Sequence, residues 1–548
     1  MNDIEDITLG SDEKLNENIN EFIRENDMNQ DWAKLQQIFM KKYKKILRKK
    51  DIRKILKDSK ENNISRTFVK KAMRSEHGVF VVSVVTSPYP KFKDENGIEK
   101  TQMFSCRHNC SYCPQKEDYP RSYLPGEPGV DRAYSVGYDT VKQIHIRLDS
   151  YRGMGQDPDK LEIIVLGGTL SEYPQLYVDE VVRDIYFAAN TWKRKQRDER
   201  LTLEEEIYEN HHNSEIHVIG LTLETRPDSI NIEEIKRFRK YNCTRVQIGI
   251  QHTDNEILKG VKRGHSIERS MRAMKLLFDN GYKVDVHLMP NLPNSTVEKD
   301  REMFNKMLYD PRLRADQWKV YPTSIVPYSD LEKMFKEGKY KPYGDDELME
   351  LLIEMKSKIH KWIRLNRIVR DIPVHFIQGG CQTAHMRQLL HNEMKKRNLT
   401  CNCIRCRSVK NRAIENNFQL SVQHYDSCDG LEYFVSVVSE DDKVLYGFLR
   451  LRIPSGTSVI LEEIKDCALI RELHVYGVVQ NVGSSSCQQT HKTQHRGFGK
   501  LLMKEAERIA FEKHNFKKIA VISGVGVRKY YENLGYELKE TFMVKTIM

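Results

Sequence analysis

The stretch Cys106-Arg-His-Asn-Cys110-Ser-Tyr-Cys113, followed at once by Pro114, puts three cysteines into eight residues. Any fold built on this chain has to present that loop so that three thiolates converge on one inorganic centre. Iron–sulfur cubanes usually take four cysteine ligands, so a loop that offers three leaves one iron open to a small ligand. S-adenosylmethionine can chelate such an iron through its amino and carboxylate groups, and an electron from the cluster can then cleave the sulfonium to a 5′-deoxyadenosyl radical. Two plainer readings compete. A disulfide fits poorly with a chain of intracellular character, and a zinc knuckle would call on His108, inside the loop, as a ligand. The spacing favours a 4Fe–4S site held by Cys106, Cys110 and Cys113.

At 548 residues the chain is too long for one core, and about three domains are expected. Lys and Arg number 89 against 78 Asp and Glu, a net charge of +11 that matters for partners only where it clusters. No apolar run approaches the ~18–20 residues of a membrane span, and the first residues are acidic and polar. The expectation is a soluble, cytoplasmic protein with no membrane partner. Of eleven cysteines, six fall into two tight groups, and Cys243, Cys381, Cys428, Cys467 and Cys487 read as ordinary reduced residues.

Residues 1–28, rich in Asp, Glu and Asn, read as a flexible lead-in. The charge then reverses. Residues 32–74 carry Lys41-Lys42-Tyr43-Lys44-Lys45, Arg48-Lys49-Lys50, Arg53-Lys54 and Lys70-Lys71, with Trp32, Leu35, Ile38, Phe39, Ile46, Leu47 and Ile55 at helical spacing. Residues 1–75 are thus expected to form the lead-in and a helical module that offers cations to nucleic-acid phosphates, the alternative being a solvated helix surface.

Residues 76–395 alternate short β-rich runs with amphipathic stretches. Strands are expected at 79–86, 161–166, 216–223, 245–250, 283–288 and 317–321, with helices over 228–240, 266–280 and 297–308. Such alternation implies parallel strands with crossovers, hence an α/β partial or complete (βα) barrel with its chemistry at the C-terminal strand ends. Those ends carry Gly167-Gly168-Thr169, Glu224-Thr-Arg226-Pro-Asp228, Gly249-Ile-Gln251-His252 and His287-Leu-Met-Pro290-Asn291. Each alone is a weak turn signal; together, behind a three-cysteine loop, they describe a binding mouth. At Gly167 and Gly168 the missing side chains would let a ligand's amino-acid moiety reach the backbone.

Residues 396–425 hold a second group, Cys401-Asn-Cys403-Ile-Arg-Cys406, which suits a structural zinc site in a linker, with a second iron–sulfur cluster as the alternative. Its fourth ligand is not legible; His474 comes first and His424 second. Residues 426–548 then show strands near 433–438, 443–452 and 468–476, the run Gln494-His-Arg-Gly497-Phe-Gly499-Lys500 opening a helix over 501–512, a strand at 518–523, and Arg528-Lys-Tyr530-Tyr531. Glycines at a helix start expose N–H groups toward a pyrophosphate, the pattern of an acyl-coenzyme A fold.

The cysteine loop, with Tyr112 before its last cysteine, resembles the radical S-adenosylmethionine superfamily, and residues 410–548 resemble the GNAT acetyltransferases. Together with Gly167-Gly168-Thr169, Glu224-Thr-Arg-Pro-Asp228, Arg263-Gly-His265, Arg471-Glu-Leu-His-Val-Tyr-Gly477 and Gln494-His-x-Gly-Phe-Gly499, residues from about 75 to the end closely resemble the Elongator catalytic-subunit family. That resemblance implies carboxymethyl-type modification of the tRNA wobble uridine from acetyl-coenzyme A, with rival readings of protein lysine acetyltransferase and non-catalytic tRNA-binding sensor. It further implies that Gly167, Gly168, Thr169, Glu224 and Arg226 attend S-adenosylmethionine. Lys160, from the barrel side, and Glu472, Leu473, His474, Val475, Gln494, Gly497, Phe498, Gly499, Lys500 and Tyr531 would attend the coenzyme. Lys319, Tyr321, Tyr530 and Tyr531 are the catalytic candidates. The short gap between the first two cysteines and the second cysteine group resemble single-subunit members of the family, so a need for other Elongator-like subunits stays open.

Overall fold

The computed structural model describes residues 15–26, 32–45, 47, 52, 78–194, 197–383, 385–409, 417–476 and 497–547. The chain divides into two compact units, residues 1–80 with 145–159 and residues 81–144 with 160–548.

In the first unit, residues 15–25 are helical, where the acidic composition led us to expect a flexible lead-in. The reason is an apolar stripe: Ile19 and Phe22 pack against Leu35 and Phe39 of the helix Trp32–Tyr43, with Leu47 and Ile52 completing the cluster. Lys42 is not a free phosphate contact either, since it pairs with Glu21 at 3.0 Å and Glu25 at 2.6 Å. Lys41, Lys44 and Lys45 are exposed. Arg48 to Lys50, Arg53, Lys54, Lys70 and Lys71 lie outside the described residues.

The second unit holds two seven-stranded sheets. The first comprises β1 (Phe80–Val85), β2 (Lys160–Leu166), β3 (His217–Thr225), β4 (Arg245–Gln251), β5 (Lys283–Leu288), β6 (Gln317–Val320) and β7 (Arg364–Arg367), adjacent in that order. From β2 through β7 the pairing is parallel throughout, as a partial (βα) barrel requires. The strand and helix bounds match the periodicity to within a few residues, whereas β7, reading Arg-Leu-Asn-Arg, was missed because it has no apolar alternation to betray it. On β2, Leu161, Ile163 and Val165 are buried toward the helices, leaving Lys160, Glu162, Ile164 and Leu166 half-buried on the other face.

The second sheet runs β8 (Phe418–Ser427), β9 (Gly430–Ser439), β10 (Leu445–Ile453), β11 (Cys467–Val475), β12 (Lys518–Val521), β14 (Phe542–Thr546) and β13 (Glu537–Lys539). Its pairing is antiparallel except between β11 and β12. Strand β8, a largely polar edge strand, falls in the stretch expected to be linker. The helix α1 (Phe498–Arg508) packs Phe498, Leu502, Met503 and Ala506 onto this sheet.

Fully buried ion pairs join the C-terminal sheet to the barrel domain. Arg471 on β11 donates to both oxygens of Asp316, at 2.8 and 2.7 Å, and to Glu432 at 2.7 Å; Arg452 donates to Asp279 at 2.6 Å. Below the start of β3, a Cβ on Gly524 would stand 2.0 Å from the Ile219 carbonyl oxygen, so the C-terminal sheet closes on the N-terminal ends of the barrel strands. Among the described residues no helix is long and apolar enough to cross a membrane. Cys243, Cys381, Cys428 and Cys467 are buried free thiols, and Cys487 lies outside the described residues.

Candidate active site

The cysteine loop is fastened to the C-terminal strand ends by its own backbone. Thr169 N–H donates to the Ser105 carbonyl, Ser111 N–H to Val261, and Leu331 N–H to Ser111. Three polar side chains reach the sulfurs: Thr169 Oγ1 lies 3.2 Å from Cys106 Sγ, while Arg226 and Arg263 direct guanidinium N–H groups at Cys110 Sγ from 3.6 and 3.7 Å. Two buried cations aimed at one sulfur stabilise a thiolate there. Arg226 is fixed by Asp228, at 3.0 Å through both nitrogens, and Arg263 by His265 Nε2 at 3.0 Å and the Gly249 carbonyl at 2.6 Å. Burial, then Arg263, pushes the His265 imidazole down to about 4, so it stays neutral and accepts from the guanidinium.

The glycines after β2 admit neighbours that their place in the sequence does not show. A Cβ on Gly167 would meet Thr86 Oγ1 at 1.9 Å, and one on Gly168 would meet the Ser105 carbonyl oxygen at 2.7 Å. Their φ angles, +140° and +95°, lie where L side chains are strained. The close approach they permit is that of β1 and the cysteine loop to β2.

Inside the barrel the lining is polar. Asn366 donates to Asp285 at 2.8 Å and Gln317 at 2.7 Å, Lys319 donates to Gln247, and Arg245 pairs with Glu162. These bonds run between strands, so the side chains share one face. Parallel strands usually bury apolar side chains on both faces; here Arg245 and Gln247, Lys283, Asp285 and His287, and Gln317 and Lys319 recur at every second position. That period-two run of polar residues is the signal in the sequence of a polar lumen. At the upper end Glu224 Oε1 lies 3.8 Å from His287 Nδ1, and the His287 and Tyr321 rings stand 5.6 Å apart. Burial raises the Glu224 carboxyl above its ordinary range, partly offset by Lys319 and Arg370.

The lower end meets β11. Glu472 accepts from Arg450 Nε at 2.9 Å; burial alone would raise its carboxyl, but Arg450, Lys283 and Arg245 outweigh that and hold it down. Arg364 Nη1 donates to Tyr476 Oη at 3.0 Å. Lys160 opens β2 at this same end. The residues of polar character thus run from the cysteine loop through the barrel to the acyl-coenzyme candidates on β11.

Other candidates sort by exposure. Phe498 is 1% exposed and Tyr531 6%, both in the core of the C-terminal sheet, so Phe498 can offer a ligand its backbone but not its ring, and the Tyr531 ring stands edge-on to Tyr530 with centroids 5.2 Å apart. Tyr530 is 36% exposed, with its hydroxyl 2.5 Å from where a Cβ on Gly499 would be. Gly497 caps α1 with φ +77°, and Lys500 is exposed on its first turn. Leu473 and Val475 pack partly against the core. Gln494 lies outside the described residues.

The sulfurs of Cys401, Cys403 and Cys406 lie within 4.8 Å of one another, the one such group among the described residues. Neither His474 nor His424 joins it: the His474 ring sits 4.3 Å from Tyr476 and that of His424 5.7 Å from Tyr433.

The site and the parallel sheet are those of a radical S-adenosylmethionine protein. The model of the Radical SAM superfamily matches residues 103–307, and that of the Radical_SAM C-terminal domain matches residues 315–396. The chain is 36% identical to a tRNA uridine(34) acetyltransferase of Dehalococcoides mccartyi, over 87% of this chain and 99% of the relative. It is 34% identical to Elongator complex protein 3 of Bos taurus, over 87% and 86%. The solved structure of the archaeal Methanocaldococcus infernus Elp3 with an N-terminal deletion superposes with a TM-score of 0.72 at 34% identity, covering 86% of this chain and 99% of that one. The chain belongs to the family of tRNA uridine(34) acetyltransferases and Elongator complex protein 3.

Proposed function

We propose that the protein modifies the wobble uridine of tRNA, joining an acetyl-derived carbon unit from acetyl-coenzyme A to C5 by radical chemistry. The observation that carries this reading is the polar lining that runs from the cysteine loop to β11, because it joins the place where a radical would arise to the place where an acyl donor would lie. Cys106, Cys110 and Cys113 would hold the 4Fe–4S cluster. When bound, that cluster supplies the electron that cleaves S-adenosylmethionine.

The chain's own residues do the rest. Arg226 and Arg263 fix Cys110, and Thr169 fixes Cys106. The backbone of Gly167–Thr169 and the Glu224 carboxylate would receive the amino-acid end of S-adenosylmethionine. Gly497, Gly499 and Lys500 at the start of α1 would receive the coenzyme's pyrophosphate, with Glu472–Val475 alongside its arm and Lys160 reaching from the barrel. Lys319 and Tyr321, at the end of β6, would be the catalytic groups that attend the uridine. A lysine acetyltransferase needs a base beside the coenzyme; of the candidates, Glu472 is tied to Arg450, the His474 ring packs against Tyr476, and burial pushes the Tyr530 phenol above its ordinary value.

Cys401, Cys403 and Cys406 would hold structural zinc, since thiolates ~2.3 Å from one tetrahedral ion stand roughly 3.8 Å apart. Exposed Lys41, Lys44 and Lys45 would meet tRNA phosphates. The setting is cytoplasmic, and other Elongator-like subunits are not required by this reading. The test is anaerobic reconstitution. 5′-Deoxyadenosine should form in the presence of tRNA and be lost when all three loop cysteines become alanine; undiminished cleavage by the triple variant would refute the radical assignment.

A further inference from the structure

Just beyond the cysteine loop the chain presents a pair of tyrosines that radical generation leaves unused. The rings of Tyr119 and Tyr134 lie nearly parallel, with centroids 5.1 Å apart and 7° between their planes. Tyr134 closes the helix Pro128–Tyr134 and is 49% exposed although Tyr119 covers one of its faces, which leaves the opposite face open. Tyr138 stands edge-on to Tyr134 at 6.4 Å, and its hydroxyl donates to the Asp118 carbonyl at 2.8 Å. A second aromatic, Tyr328, is 48% exposed, with the Lys116 ammonium over its ring at 5.3 Å from the centroid. Tyr138 and Tyr328 have φ of +62° and +66°, a region that a bulky side chain occupies only where its surroundings fix it.

Short bonds tie both aromatic platforms to the mouth of the barrel. Gln115 N–H donates to the Tyr328 carbonyl at 2.8 Å, and Ser122 N–H closes the segment onto the Pro114 carbonyl at 3.1 Å. Arg121 N–H donates to Ser105 Oγ at 2.7 Å, and Asp118 N–H reaches the hydroxyl of Tyr89, which follows the C-terminal end of β1, at 3.4 Å. The same segment ends on Tyr123, whose phenol is pushed up by burial first and then by Glu224, with a smaller push from Tyr321. Residues 114–123 thus run from the lumen, beside Glu224 and Tyr321, out to the stacked tyrosines on the rim.

We propose that Tyr134 backed by Tyr119, and Tyr328 with Lys116, form a stacking site for the unpaired nucleobases that flank the wobble uridine in tRNA. The proposal rests on the reading of the preceding subsection. A uridine that enters the lumen leaves its stack, while the bases on either side, joined to it through the sugar–phosphate backbone, stay at the rim. An open tyrosine face replaces the stacking those bases lose, whatever their identity. Lys116 sets a cation beside one of the rings, where a phosphate between the bases would pass. Ring and cation side by side match a single strand, in which bases and phosphates alternate, and not the core of a protein interface, from which lysine is depleted.

Affinity should be measured, with the full chain, for a tRNA and for the same tRNA with its anticodon loop replaced by a tight turn that offers no unpaired base. The wild-type chain should prefer the intact loop. Tyr134→Ala should weaken binding of the intact tRNA by about 5-fold or more and leave the loop-replaced tRNA and the circular dichroism unchanged. Tyr134→Phe should bind as the wild type does, because the ring and not the hydroxyl stacks. Lys116→Gln should lower the salt slope for the intact tRNA by about one, a change Tyr134→Ala does not make. Wild-type affinity for the intact tRNA in Tyr134→Ala, which would leave the pair to a contact between proteins, or an equal loss for both RNAs, would overturn the proposal and leave the wobble-uridine reading intact. So would equal wild-type affinity for the two RNAs. A wild-type chain that binds neither would overturn both.

Discussion

A Cβ on Gly168 would stand 2.7 Å from the Ser105 carbonyl oxygen, an atom of the chain that enters the cysteine loop. Backbone cannot give way as a side-chain tip can, and the φ of +95° adds strain of about 1–3 kcal/mol for any other residue. Gly168→Ala is therefore expected to displace the loop, lowering both iron content and 5′-deoxyadenosine yield while the C-terminal sheet still binds coenzyme A by calorimetry. Full iron loading in that variant would mean the contact is slack. The Gly167-Gly168 pair stands out in the sequence, but the sequence could not say that the glycines admit Ser105 and Thr86, because those contacts join residues about 60 to 80 positions apart. The same holds for Arg263: its place in Arg263-Gly-His265 was visible, its aim at Cys110 was not.

Among the elements, strands with clean alternation and capped helices were readable to within a few residues. β7 was not, since Arg364 and Asn366 face a polar lumen and give no apolar signal. The helix over 15–25 departs from the expected flexible lead-in: its acidic side chains outnumber its apolar stripe, and Glu21 and Glu25 pair with Lys42. For the short helix Ile404–Arg407, which ends the second cysteine group, the expectation is one zinc per chain by elemental analysis. Cys403 is buried beside Cys401 and Cys406, so Cys403→Ser should release that zinc and lower the melting temperature, with the barrel's iron content unchanged. Iron in place of zinc at this group would show that it carries a second cluster.

At the scale of the whole molecule, the buried ion pairs make the C-terminal sheet and the barrel domain of the second unit one folding problem. Burial alone would raise the Asp316 carboxyl, but Arg471 and Arg450 outweigh it and hold it at about 2, against an ordinary value of 3.8. A carboxyl depressed in the folded state adds stability above its unfolded pKa and loses it as pH falls through the folded one. Asp316 should thus support the fold fully above about pH 4 and cease to do so near about pH 2. Asp316→Asn leaves Arg471 and Arg450 short of a counter-charge and should cost about 3–5 kcal/mol at neutral pH, read from denaturant unfolding; a cost below about 1 kcal/mol, the level of a surface pair, would mean the pairs do not weld the sheet to the barrel domain. This weld, invisible in composition or periodicity, is what sets β11 against the lower end of the barrel. The central claim is that radical and acyl donor act on one tRNA base through that arrangement, and mass spectrometry of tRNA nucleosides tests it most directly. After anaerobic incubation with reductant, S-adenosylmethionine and acetyl-coenzyme A labelled with carbon-13 in both acetyl carbons, the wobble uridine should carry both labelled carbons at C5. An unmodified wobble uridine in a sample that cleaves S-adenosylmethionine, or a modified one without label, would contradict it.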